Sequence, residues 1–503
     1  MIDYLRKRPM LISAVGCVIS AVCGFYSFWA LVMCLLLFVI FLLLSLFKKQ
    51  AVFTVVWILL VVMCISCFSH TKKAEKLADM AESNINAYIS FESTTYKSEG
   101  FYLSNFEVVK SETLPKGTKI SLWHTPLNFS LGDILYAKIS LSEIDQDYKV
   151  SNFSNKIYIS GSIKEFERVD VTDNISKGVN KIRNYVAKTV FANMSEDSAA
   201  TVCALVSGDR SYLEDGFYDN IKSSGVAHVM VVSGMHLSII VSLALKFIEK
   251  TVYRPYFRAF IMFCTVIIMC AVCGFTNSIL RAGITYIIMA LGLLLNRPYS
   301  GENALGGAVT FILISSPFTV FNIGFQLSVL STLGILAVAL PICKHLDIKN
   351  KILKYIVDTI LLSLSAMLLT LPVTIYVFGY VSNVSVITNL LISFPVTVIL
   401  SVSVVALILS LILPFMSSIL LGFVDYGVGY INFVINYLGT RSFAVTRMPP
   451  FMAFVAVLVI LVVFEILLTC KKRQDMLKLK QMNEKILKEG GNKRKWQSFL
   501  KMR

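Results

Sequence analysis

The chain has 503 residues, of which 56% are apolar and 16% charged, with a mean hydropathy of +0.71. Soluble globular chains run at about 45–50% apolar and about 25% charged, so these values exclude an ordinary soluble domain. The net charge of +16 invites a nucleic-acid reading, and where that charge sits decides how far the invitation holds.

Runs of about 20 apolar residues are long enough to cross a bilayer core. In chain order they fall at 10–25, 28–47, 51–69, 226–246, 259–275, 278–296, 303–320, 324–342, 355–378, 386–412, 415–438 and 450–470. The first begins at Met10 and others follow at once, a pattern unlike a cleaved signal peptide. The expected architecture is a polytopic α-helical membrane protein of about twelve spans. With the N-terminus inside, 26 Lys and Arg fall in inside loops and the tail, against Arg441 and Arg447 in the short outside loops. The positive-inside rule then puts both termini in the cytoplasm, and most of the excess charge becomes topological. The tail 471–503, with twelve basic and three acidic residues, suits contact with anionic lipid.

One long polar stretch, 70–225, interrupts the spans and is expected outside. Its 70–190 part carries sixteen Lys and Arg against fifteen Asp and Glu, which is not the basic stripe of a strong DNA binder. The runs "FYLSNFEVV", "KISLWH", "DILYAKISL" and "NKIYISGSI" alternate with period two between turn clusters, as antiparallel strands do. About five such strands avoid open edges most economically as a small barrel, and an oligonucleotide-binding (OB) fold fits. Phe101, Tyr102, Trp123, Tyr136 and Tyr158 are then candidate base-stacking rings, with barrel core as the competing role for each. The expected domains are 1–69 (first spans), 70–190 (extracellular OB-like barrel), 191–470 (helical bundle) and 471–503 (basic tail).

None of the eleven cysteines lies in 70–190, so no disulfide framework is expected there, and small apolar packing accounts for the rest. Among the five histidines, His70, His124, His228, His236 and His345, no metal motif is visible. On one helix His228 and His236 stand about 12 Å apart, too far to share an ion. No cofactor is expected.

The polar residues of the second half carry more. The stretch from 195 holds an amphipathic helix at about 196–206, then Ser207-Gly208-Asp209-Arg210, then a span with Ser233, Gly234 and His236 near its outer half. Ser233 and His236, three apart, share a helix face, and Gly234 permits a close neighbour. "GFTNSILRAGITY" and "FNIGFQLSVLSTLGI" place Asn277, Arg281 and Gln326 near the outer ends of further spans. Polar groups inside a bilayer face the bundle interior or a water-filled cavity. The expected cluster is the mouth of a hydrophilic path.

The segments "VSGDRSYLEDGFYDNIKSSGVAHVMVVSGMHLSIIV", "NSILRAGI" and "GFQLSVLSTLGI" resemble the membrane competence domain of the ComEC family. The resemblance is close over about 195–345 and looser elsewhere, and the order of spans, external barrel and bundle also matches. It implies a channel for single-stranded transforming DNA, with Gly208, Asp209, Arg210, Ser233, Gly234, His236, Arg281 and Gln326 at the matching motif positions. Many members of that family continue into a metallo-β-lactamase-like domain. None follows here, so the implied partners are single-stranded DNA, membrane lipids, a DNA receptor and a separate nuclease. No GxxxxGK[ST] loop occurs, which adds a cytoplasmic ATP-driven motor. The channel is expected not to be an enzyme.

Two other readings stay open. A secondary transporter for a small solute or protons would use Asp425, a lone carboxylate midway along "LGFVDYGVGYINF". A membrane hydrolase would pair Ser233 with His236, and would need a third orienting group and an oxyanion site.

Overall fold

A computed structural model describes residues 8–47, 51–81, 83–97, 101–125, 129, 132–169, 175–230, 232–248, 254–273, 277–295, 300–346, 348–463 and 465. The basic tail 471–503 lies outside the described residues. The chain forms two compact units, residues 1–366 with 382–446, and 367–381 with 447–503.

The first three helices are α1 (Pro9–Tyr26), α2 (Phe28–Phe47) and α3 (Ala51–Ala78). Their composition leaves lipid as the only suitable surround for exposed Trp29, Leu36, Ile40 and Phe41. The barrel follows as β1 (Asn84–Lys97), β2 (Tyr102–Ser111), β3 (Lys119–His124), β4 (Ile134–Ser142), α4 (Gln146–Ser154) and β5 (Ile157–Arg168). It closes in the order β1-β2-β3-β5-β4. The strands were expected to be antiparallel throughout. One pair, β3 with β5, is parallel, because the chain crosses over through α4 instead of a hairpin. Closure leaves no free edge.

The barrel core is Phe106, Ile120, Leu135, Ile139 and Ile159 with their neighbours, and it extends onto Ala74 and Leu77 of α3 and onto Phe318. Phe318 lies on a 3₁₀ turn, Pro317–Phe321, between two spans. Phe25 packs edge-on to Phe318 and Phe153 at ring distances of 5.5 and 5.8 Å. The barrel is thus seated on the membrane helices by aromatic rings.

Beyond the barrel come α5 (Ile175–Phe191), α6 (Glu196–Ser207), α7 (Asp215–Ser223), α8 (Ala227–Met230), α9 (Gly234–Ile248), α10 (Pro255–Val272), α11 (Asn277–Leu294) and α12 (Gly301–Ser315). After the 3₁₀ turn, α13 (Ile323–Gly334) runs through a π-helical segment, Ile335–Ala339, into α14 (Leu340–His345). The last helices are α15 (Lys351–Phe378), α16 (Ser385–Leu409), α17 (Pro414–Gly439) and α18 (Met452–Val463).

Each expected span has its helix, but among the described residues only eight are long and apolar enough to cross a membrane on those grounds alone. Stretch 226–246 was expected as one continuous span. It is instead broken between Met230 and Gly234, so the spacing of His228 and His236 does not follow one helix. Stretch 303–320 ends early at Ser315, where Pro317 opens the 3₁₀ turn.

Close helix approaches rest on glycine. A Cβ on Gly306 would meet the Met10 backbone at 2.5 Å, and one on Gly334 the Ser365 carbonyl oxygen at 2.2 Å. At the base of the same α1–α12 pair, Arg8 bonds Glu302 at 3.0 Å. In the second unit, Met367, Leu371 and Ile375 of α15 pack with Val381, Met452 and Ala456.

Candidate functional site

The centre of the first unit is α6, whose residues from Ser198 to Ser207 are all buried. Its first turn carries Glu196 and Asp197, which suit the positive end of the helix dipole. Ser195, at the N-cap, donates its hydroxyl to Asp425 Oδ1 at 2.6 Å, and Thr201 bonds Asn432 Oδ1 at 3.1 Å. Asp425, a lone carboxylate in its stretch of sequence, thus accepts the Ser195 hydroxyl in the structure. The helix ends on Gly208 in the left-handed region, φ 72°, where a Cβ would stand 3.3 Å from Val232 and 3.9 Å from Cys273.

The break in the next span is organised by Ser233. Its Oγ accepts from the Met235 N–H at 3.3 Å, while its own N–H donates to His236 Nδ1 at 3.4 Å. The hydroxyl also lies 3.2 Å from that nitrogen. This is a capping box with histidine in the place usually held by Glu or Gln. Nδ1 accepts, so the ring proton sits on Nε2. His236 is fully buried, and Nε2 has no partner among the described residues. A buried donor left in that state costs about 1–3 kcal/mol.

Gly234 brings this helix start against α11. A Cβ there would stand 3.2 Å from Arg281 Nη2 and 3.3 Å from Ala282 Cβ. Arg281 is 6% exposed and donates from Nε to Ser328 Oγ on α13 at 2.9 Å. A buried guanidinium therefore lies beside the first N–H groups of α9, whose dipole is also positive. Two positive sources converging on one point inside a bundle make an anion-seeking potential.

The model of the family described as Competence protein matches residues 205–473, more than half of the chain and all of this constellation. This is a competence protein of the ComEC family. It is similar to ComE operon protein 3 of Bacillus subtilis (strain 168), with 23% identity over 245 residues. That alignment covers 49% of this chain and 31% of the relative, so the chain spans about a third of that relative's length. No solved structure matches.

In this ComEC-family bundle, Ser233, Gly234, His236 and Arg281 come together, and Gly208 abuts them through Val232. Asp209 and Arg210 bond elsewhere. Asp209 accepts from the N–H and hydroxyl of Ser211, at 3.0 and 2.7 Å, and Arg210 donates to the Tyr218 hydroxyl at 3.3 Å. Gln326 turns back to cap the 3₁₀ turn, its Nε2 donating to the Val320 carbonyl at 2.8 Å. Asn277 opens α11, and its side chain lies outside the described residues.

Ser328 is the residue that sequence reasoning missed. It sits two positions beyond Gln326, hence on a different face of α13, and only the partner helix reveals which face matters. As a hydrolase pair, Ser233 and His236 lack a third group, since Nε2 bonds nothing described. Among the described residues no cluster of three metal-ligating side chains occurs.

On the barrel, Phe101, Trp123 and Tyr136 are exposed, and Tyr102 is half-buried. Tyr158 is not available for stacking: it is buried, with its hydroxyl 2.7 Å from His70 Nδ1 on α3.

Proposed function

We propose that this protein passes single-stranded DNA across the bacterial cytoplasmic membrane during natural competence. The strand enters on the barrel side and leaves at the face bearing the basic loops, where both termini lie. The observation that carries the reading is Arg281, buried beside the Gly234 end of α9. A phosphate chain in a low-dielectric bundle needs positive potential and hydrogen-bond donors along its way, and this point supplies both. Membership of the competence family supports a role in DNA uptake.

The protein acts here as a conduit and not as an enzyme. A DNA receptor, a nuclease that degrades the second strand, and a cytoplasmic ATP-driven motor complete the process, with membrane lipids around the bundle. The test is uptake of end-labelled DNA by cells lacking this protein, complemented with wild type, His236→Ala or Arg281→Gln. The expected result is loss of nuclease-protected cytoplasmic DNA in the deletion, with surface-bound DNA unchanged, and failure of normally expressed Arg281→Gln to restore it. Normal uptake in a deletion strain without a second copy would refute the channel.

A further inference from the structure

A cleft of about 450 Å³ opens between α14 and α15. Leu340, Cys343, Lys344 and Leu346 line one side, and Lys354 and Asp358 the other. Its nearest residue on the first side, Leu340, stands twelve positions beyond Ser328, about 18 Å along the helix from the Arg281 constellation.

The cleft follows from how the two helices meet and part. Gly334 lets α13 touch α15 at Ser365, backbone against backbone. From there the chain runs through the π-helical segment, and Pro341 follows at the start of α14. Proline has no N–H for the carbonyl four residues back, and its ring crowds that carbonyl, so a helix bends at such a point. Lys344 and Lys354 line the gap about 15 Å from the crossing.

The other end of α13 fixes the level of the cleft. Asn322, its N-cap, donates from Nδ2 to Asn155 Oδ1, between α4 and β5 of the barrel, at 3.2 Å. The span from Ile323 to His345 has 23 residues, about 34 Å of helix, which is one bilayer crossing. Lys344 lies in its last turn, and Lys354 in the first turn of the next span. The cleft therefore opens at headgroup depth, on the membrane surface opposite the barrel.

Its polar groups are unpaired. The ammonium groups of Lys344 and Lys354 are exposed and bond nothing among the described residues. Asp358 Oδ1 is buried and likewise has no partner there. Two ammonium groups and one carboxylate leave a single positive charge, which one phosphodiester offsets. The buried carboxylate oxygen asks in addition for a hydrogen-bond donor, which a phosphodiester itself lacks. A headgroup with both a phosphodiester and a hydroxyl answers both needs. Leu340 and Leu346, each more than a third exposed, offer apolar walls to acyl chains. A basic pocket between membrane helices is a setting in which anionic headgroups bind.

We propose that the α14–α15 cleft binds one phosphatidylglycerol molecule from the leaflet opposite the barrel. Lys344 and Lys354 hold its phosphate, Asp358 accepts from its glycerol hydroxyl, and Leu340 and Leu346 flank its chains. The site stands apart from the DNA-passage reading and does not depend on it.

The test uses the full chain, purified in detergent, with bound lipid counted by native mass spectrometry as phosphatidylglycerol is added. Wild type should take up one molecule ahead of any others, and Lys344→Gln/Lys354→Gln should weaken that first binding about tenfold. Lys344→Arg/Lys354→Arg should retain it. Lys349→Gln/Lys351→Gln, which removes the same charge outside the cleft, should leave it unchanged. Phosphatidylmethanol has the same charge and no hydroxyl, so wild type should bind it about tenfold less tightly, and Asp358→Ala should bind both lipids equally.

Equal weakening by the two glutamine pairs would reduce the effect to general surface charge and overturn the proposal. So would equal binding of both lipids by wild type. Displacement of phosphatidylglycerol by inorganic phosphate would overturn it in favour of a soluble phosphate, and displacement by a single-stranded oligonucleotide in favour of the strand.

Discussion

The barrel and the broken span each bury a histidine and finish it differently. In the barrel, His124 Nδ1 donates to the Thr125 carbonyl at 2.6 Å and Nε2 accepts from Ser104 at 2.9 Å. In the bundle, His236 spends Nδ1 on its own helix cap and leaves Nε2 without a described partner. Both regions also bury side-chain oxygens that find no partner among the described residues, Asn105 Oδ1 in the barrel and Ser403 Oγ in the bundle, so the difference lies at the histidines themselves. The bundle's histidine keeps a donor with no described partner on the helix start that meets the buried Arg281.

The largest effects should fall on packing, and should separate the two regions. Phe106→Ala empties the centre of the barrel and should destabilise it by about 3–5 kcal/mol. Hydrogen exchange on the full chain should show barrel amides opening while those of α6 stay protected. Gly334→Val places a side chain where Ser365 carbonyl oxygen leaves no room, and backbone cannot move aside as a flexible side chain can. It should destabilise the α13–α15 crossing by about 3 kcal/mol and lower the yield of membrane-inserted protein, the barrel remaining folded. Equal loss of both regions in either variant would mean that they unfold together.

Arg281→Lys sharpens the functional half of the contrast. It keeps the charge but loses the planar fork, including the Nε–H that meets Ser328. A charged hydrogen bond is worth about 1.5–3 kcal/mol, so uptake should fall about tenfold or more at equal expression. Ser233→Ala removes the cap of α9 and should lower stability by about 1 kcal/mol, read as a small drop in melting temperature. If uptake then falls far more than Arg281→Lys makes it fall, the hydroxyl does more than hold the helix start.

The smallest effect is one of pH. Burial holds His124 below the ordinary histidine pKa of 6.5. Its neutral form is the folded one, so its contribution is complete above about pH 6.5 and is lost as pH falls toward the folded pKa. Protection factors of barrel amides, exchange rates corrected for the intrinsic rate at each pH, should be smaller at pH 5 than at pH 7.5, and His124→Phe should flatten that dependence. An undiminished slope in the variant would assign the effect to another group.

Much of the helical plan is legible because hydrocarbon imposes length and apolarity on each span. Strands β2 to β5 are legible because one face of each is core, and alternation records that. Strand β1 is harder: its run "NINAYISFESTTYK" continues into polar residues and pairs through several register shifts with β2. The break before Gly234 hides because a box closed by His236 lacks the usual Glu or Gln. Arg281 stands out as a charge in an apolar run, whereas Ser328 looks like any small residue until a guanidinium points at it. Helix α5 shows its amphipathic period plainly, but a period says which face is buried and not against what.

The bonds that hold α6 have a further consequence, for biogenesis. Ser195 and Asp425 are 230 residues apart in sequence, and Thr201 and Asn432 are 231 apart. At about 5–20 residues per second, the ribosome needs on the order of ten to fifty seconds to deliver the second partner after the first. For that interval a short helix that is buried on every side in the finished bundle has no finished place to go. The early spans and the barrel can assemble while it waits, but the core around α6 can close only when α17 arrives.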